Sequence, residues 1–161
     1  MPEIPAIYSP RLEKTVVSAG GRLLALLLSV ACLGLLVTAA QLPPSPNGMG
    51  THTRLGLAEC QFAERTGIPC PTCGMTTSFA WFARGNLAAS FYVQPMGGLL
   101  AVLTVGAFWA GLYIALTGRP VHRLIRFLPG RYYVALLLSW AIFAWAWKIF
   151  IHLSGIDGWH A

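Results

Sequence analysis

Three long apolar runs limit what this chain can fold into. "LLALLLSVACLGLLVTAA" (23–40) and "MGGLLAVLTVGAFWAGLYIALTG" (96–118) carry no charge, and "YVALLLSWAIFAWAWKIFIHLSG" (133–155) carries none until Lys148. Each meets the length of roughly 17–25 residues that a helix needs to cross the hydrocarbon core. Lipid offers the backbone no hydrogen-bond partners, so a spanning segment must satisfy its own N–H and C=O groups, as a helix does. The runs predict three spanning helices at about 23–41, 96–118 and 133–154, in a single all-α membrane domain covering 1–161.

The composition agrees. Apolar residues make up 56% and charged residues 10% of the chain, against about 25% charged in a soluble domain. A net charge of +6 would suit nucleic acid if the basic residues formed one stripe interleaved with aromatics. They cluster instead at the ends of apolar runs, so no nucleic-acid partner is expected. The expected partners are membrane lipid and other membrane proteins.

The same charges set an orientation. Arg11, Lys14 and Arg22 precede the first run, and Arg119, Arg123, Arg126 and Arg131 crowd the loop 119–132. The longer connection between the first two runs holds only Arg54, Arg65 and Arg84, offset by Glu59 and Glu64. Cytoplasmic loops carry an excess of basic residues, which places the N-terminus and the arginine loop in the cytoplasm of a cell (inner) membrane protein. The cysteine-bearing connection and the C-terminus then face outward. The four loop arginines are candidates for anionic lipid headgroups, although setting topology alone would explain them. The first run could also be read as a signal peptide, with Val37-Thr38-Ala39 as a cleavage site. Its 18 residues exceed the usual apolar length, which favours an uncleaved anchor.

Between the first two runs, an outer loop at 42–70 opens with "LPPSPNG", whose prolines forbid regular structure. A short helix is expected at 71–84, with Pro71 in its first turn, Gly85 at its C-terminal cap and Met75, Phe79 and Phe82 along one apolar stripe. It is too short to span, so it should lie in the interface or dip inward packed on protein. Asn86 suits the N-cap of a further helical turn, and Pro95 ends that turn and opens the next span. Trp140, Trp145, Trp147 and Lys148 read as an interfacial belt with a snorkelling lysine. His152 and His160, eight apart, are weak as metal ligands.

The stretch "ECQFAERTGIPCPTCGMTTSF" (59–79) holds three of the four cysteines. In Cys70-Pro-Thr-Cys73 the spacing lets both sulfurs converge on one metal ion or form a small redox disulfide. A helix beginning at Pro71 would stabilise a Cys70 thiolate with its free N–H groups. Cys60 adds a third thiol, and three readings stay open. Cys60 bridges to Cys70 or Cys73 as a structural disulfide. The trio exchanges disulfides, with Cys60 as the resolving partner. Or the three, with His52 or a residue of another protein, hold zinc or a similar ion. Cys32, in mid-span, should be a small apolar residue too distant in depth to join them. No phosphate loop, nucleophile elbow or HExxH is present, and Glu59 and Glu64 read as solvated charges.

These residues also carry a family resemblance. "CQFAERTGIPCPTCGMTTSFAWFARGNLAASFYVQPMGGLL" resembles the signature of the small bacterial membrane proteins grouped as domain of unknown function 2752, with Cys60, Gly67, Cys70, Pro71, Cys73, Gly74, Thr76, Gly85, Ala89 and Pro95 in the motif positions. The resemblance implies membrane location and no established reaction. Thr77 stands where the family usually has arginine and Gln94 where it usually has asparagine, so a charge that could anchor an anion is missing. The leading reading is a non-enzymatic membrane module or complex subunit whose outer segment is cysteine-stabilised or metal-binding. The alternative is a membrane thiol-disulfide oxidoreductase using Cys70, Cys73 and Cys60.

Overall fold

A computed structural model describes residues 16–121 and 130–159. Arg11, Lys14, Arg123, Arg126 and His160 lie outside them. The described elements are all helical: α1 (Ala19–Gln41), a 3-10 turn (Thr51–Leu55), α2 (Gln61–Thr66), α3 (Met75–Ala83), α4 (Leu87–Val93), α5 (Pro95–Thr117) and α6 (Gly130–Leu153). Helices α1, α5 and α6, of 23, 23 and 24 residues, are long and apolar enough to cross a membrane. At roughly 1.5 Å per residue each is about 35 Å long, which exceeds the ~30 Å hydrocarbon core. Large apolar side chains such as Leu24, Leu103, Trp109, Leu136 and Ile142 point away from the protein, the outward face expected of a multi-pass membrane protein.

α1 and α5 run antiparallel and in close contact. A Cβ on Gly111 would sit 2.7 Å from the carbonyl oxygen of Ala25, so only glycine permits this approach. Beside it Ser29 Oγ donates to Phe108 O at 3.1 Å. At the start of α1, Arg22 donates to Ala115 O and Leu116 O at 2.9 and 3.2 Å, satisfying carbonyls that the end of α5 leaves free. Arg22, Arg119 and the exposed Arg131 thus mark one end of the bundle. Arg131 stacks over the Tyr132 ring.

The segment 42–94 folds at the opposite end. α3 packs against α1, α4 and α5. Its enclosed face is not the expected apolar stripe. Met75, Phe79 and Phe82 are half-buried, while Thr77, Ser78 and Ala80 are buried completely. The reason is closeness: Gly97 of α5 meets Ser78 where a Cβ would lie 2.8 Å from its side chain. The Ser78 hydroxyl reaches both Ser90 O and Ser90 Oγ at 2.9 Å. Asn86 Oδ1 caps α4 by accepting from Ala89 N, and Pro95 occupies the first turn of α5.

Two further expectations need correction. α3 starts at Met75 rather than Pro71, because Cys70–Gly74 forms a tight turn in which Cys73 N donates to Cys70 O at 3.0 Å and Gly74 takes φ +89°. Pro71 therefore lies before the helix, and its carbonyl accepts from Gln94 Nε2 at 2.8 Å. Lys148 does not snorkel to water. It has no exposed surface and pairs with Asp157. The tryptophans around it tie α6 to the cysteine-bearing segment: Trp145 Nε1 donates to Pro69 O at 3.0 Å and Trp147 Nε1 to Tyr92 O at 2.7 Å.

Candidate metal centre

Local backbone geometry brings Cys60 to the Cys70–Cys73 pair. Cys60 immediately precedes α2, and that helix ends at Gly67, whose φ of +68° lets its N–H close on Ala63 O at 2.9 Å. Glycine takes this left-handed conformation without the Cβ penalty, so the chain can turn back within a few residues. Pro69, held by Trp145, then delivers Cys70 beside Cys60. No disulfide joins any of the four cysteines in this structure. The sulfurs of Cys60, Cys70 and Cys73 lie within 4.8 Å of one another, with Cys70 Sγ and Cys73 Sγ 3.0 Å apart.

The two sulfurs of the turn differ in acidity. Burial alone would raise the Cys70 thiol, but hydrogen bonds from the Cys73, Thr72 and Cys60 side chains outweigh it and bring Cys70 down to about 7. Burial pushes Cys73 up to about 12, reinforced by its bonds to Cys70 and Cys60 and by the charge on Cys70. The pair thus shares one readily formed thiolate. Cys70 is not on a helix N-terminus, so side-chain hydrogen bonds take the part expected of the helix dipole.

The three cysteines line a cavity of about 760 Å³ together with Met49, Met75, Thr76 and His52. His52 is on this wall but outside the sulfur cluster, with Nε2 3.1 Å from Ala58 O. Glu59 and Glu64 also line the cavity and are exposed. Gly74 supplies the left-handed link between Cys73 and α3, and Gly85 the corresponding turn after it, with its N–H on Phe82 O. Cys32 is on α1, partly exposed and outside the cluster. Arg119 and Arg131 are at the other end of the bundle, away from the cysteines.

Sequence reasoning missed the layer under the centre. Lys148 Nζ donates to Asp157 Oδ1 at 2.6 Å and to Gly48 O at 3.3 Å, and His152 Nδ1 meets Asp157 Oδ2. A Cβ on Gly74, the residue after Cys73, would lie 3.4 Å from Lys148 Cε, so the lysine packs directly beneath the cysteine turn. The signal was present in the chain: its single aspartate lies nine residues after a lysine inside an apolar run. Thr77, at the position where the resemblance implies arginine, is enclosed with its hydroxyl 2.8 Å from Thr51 Oγ1. Gln94 Oε1 is buried with no hydrogen-bond partner among the described residues.

Fold and site together define a small multi-pass membrane protein with a three-cysteine cluster at one end of its helix bundle. The model of the family described as protein of unknown function (DUF2752) matches residues 60–109, from Cys60 to midway along α5. The family resemblance carried by the motif is thereby borne out. No curated protein and no solved structure matches the chain.

Proposed function

We propose that this protein is a non-enzymatic membrane module that binds a metal ion, zinc or a similar thiophilic cation, through Cys60, Cys70 and Cys73. The observation that carries the reading is the convergence of three cysteine sulfurs from two separate turns within 4.8 Å. Thiolates around a tetrahedral zinc, at about 2.3 Å each, stand about 3.8 Å apart. Modest adjustment of the three sulfurs would reach that spacing. The ion would join α2 to the turn before α3 and brace the segment that covers the bundle end. The module works alongside other membrane proteins, with its cysteine end outside and Arg22, Arg119 and Arg131 on the cytoplasmic side, in keeping with the positive-inside tendency.

Thiol counting on purified protein tests this. Metal-loaded protein should hide three thiols from a mild alkylating reagent until a chelator is added, with no need for reductant. Three thiols reactive without chelator would overturn the reading. Labelling intact cells with an impermeant maleimide after chelation tests the orientation, and modification only after permeabilisation would reverse it.

A second reading rests on the different acidities of the pair. A Cys70 thiolate beside a protonated Cys73 can attack a substrate disulfide. Cys73 or Cys60 would then resolve the mixed disulfide, passing two electrons and two protons to the substrate. Thiols exposed by reductant rather than by chelator favour this reading.

A further inference from the structure

The donors around the cluster also bear on which ion it takes, an inference that rests on the metal-binding reading. A structural zinc site is closed by four protein ligands. Among the described residues, three cysteines converge and neither His52, Glu59 nor Glu64 joins their cluster. What the cavity adds beside them is more sulfur. Met49, between Gly48 and Gly50, and Met75, the first residue of α3, both line its wall. The chain has four cysteines and four methionines, and five of these eight sulfur residues line this one cavity.

Thioethers are neutral, soft donors. Together with thiolates they favour the cuprous ion, whereas zinc accepts imidazole and carboxylate equally well. A closed-shell monovalent copper is also content with three sulfur ligands, so a missing fourth donor is no defect. We propose that the centre is a cuprous site: Cys60, Cys70 and Cys73 hold one Cu(I) as thiolates, and Met49 and Met75 line the path by which the ion reaches and leaves them. Binding releases the thiol protons to solvent, and copper remains Cu(I) throughout, so no electron acceptor is required.

The test uses the full chain, purified in detergent, reduced and kept anaerobic. Cu(I) is titrated against a chromophoric Cu(I) chelator, and Zn(II) is titrated separately against a zinc indicator. One Cu(I) per chain is expected, with X-ray absorption reporting only sulfur neighbours. The conservative pair Met49→Leu and Met75→Leu preserves side-chain volume. It should slow exchange of Cu(I) with the chelator several-fold while leaving Zn(II) affinity unchanged. Cys60→Ser should lose tight binding of both ions. A Met variant that exchanges copper at the wild-type rate overturns the methionine-lined path, and copper with nitrogen or oxygen neighbours overturns the cuprous assignment. Tight zinc without tight copper overturns it too and leaves the metal-binding reading standing. Failure to bind either ion overturns both.

Discussion

Lys148 Nζ lies 2.6 Å from a carboxylate oxygen of Asp157, nine residues later and past the end of α6. The lysine is wholly enclosed and also reaches Gly48 O at 3.3 Å. A Cβ on Gly74 would come within 3.4 Å of its Cε. One side chain therefore touches the C-terminal tail, the loop after α1 and the cysteine turn. His152 shares the same carboxylate, so the pair belongs to a small buried network rather than a surface bridge.

Removing Lys148 leaves the Asp157 carboxylate with His152 as its remaining partner, at a cost of up to roughly 3–5 kcal/mol. Lys148→Met should therefore lower the melting temperature in detergent markedly. The double variant Lys148→Met with Asp157→Asn should recover much of the loss, because the stranded carboxylate is gone. Equal melting of the single and double variants would show that the two residues are not coupled.

The two glycines beside this network leave no room for a side chain. At Gly48, with φ +68°, a Cβ would fall 2.1 Å from Asp157 O, and at Gly74, with φ +89°, 2.9 Å from Gly48 O. Alanine at either site adds backbone strain to a clash. Gly48→Ala should destabilise the fold, and Gly74→Ala should also weaken metal retention by displacing Cys73. Gly34→Ala, with nothing within 4 Å of the new methyl, serves as the control and should melt like wild type.

The spans, the cap at Asn86 and the proline that opens α5 were legible in the sequence because each depends on local chemistry. Uninterrupted apolar length, a side-chain acceptor at the right offset and a missing N–H do not need a partner elsewhere in the chain. The start of α3 was not legible, because Pro71 suits a first helical turn and a tight turn equally well. Only contacts with Gln94 and Trp145, many residues away, select the turn. The buried face of α3 was misread for a related reason. Apolar periodicity marks Met75, Phe79 and Phe82, but Gly97 on α5 lets α3 approach so closely that small polar Ser78 fills that interface, while Thr77 is enclosed against Thr51. At the site, the convergence of Cys60 on the pair follows from the glycine-terminated α2, whose six residues are too few to show a helical period in the sequence.

Close approach also governs the pairing of α1 with α5. Gly111→Ala would push a methyl to 2.7 Å from Ala25 O and 3.3 Å from Ser29 Cβ, separating the helices and stretching the Ser29–Phe108 hydrogen bond. Gly106, on the same helix, has nothing within 4 Å of an added methyl. Gly111→Ala should therefore lower thermal stability and Gly106→Ala should not. Equal behaviour of the two would mean that α1 does not pack on α5 at Gly111.

The unequal thiols predict how the reduced, metal-free protein responds to pH. Cys70 falls from an ordinary 9.0 to about 7 on folding. Between those values the folded state has released a proton that the unfolded chain keeps, so stability rises with pH. Cys73 climbs from 9.0 to about 12. Above 9.0 the unfolded chain releases a proton that the folded state holds, so stability then falls. Melting temperature should accordingly pass through a maximum near pH 9. Cys70→Ser should abolish the rising limb. Cys73→Ser should abolish the falling limb and also shrink the rise, because Cys73 is one of the donors that lower Cys70. Alkylation of Cys70 should track its thiolate, half-maximal near pH 7, while Cys73 stays inert well into the alkaline range. A melting temperature that declines steadily from neutral pH would mean that the Cys70 thiolate is not stabilised by its neighbours.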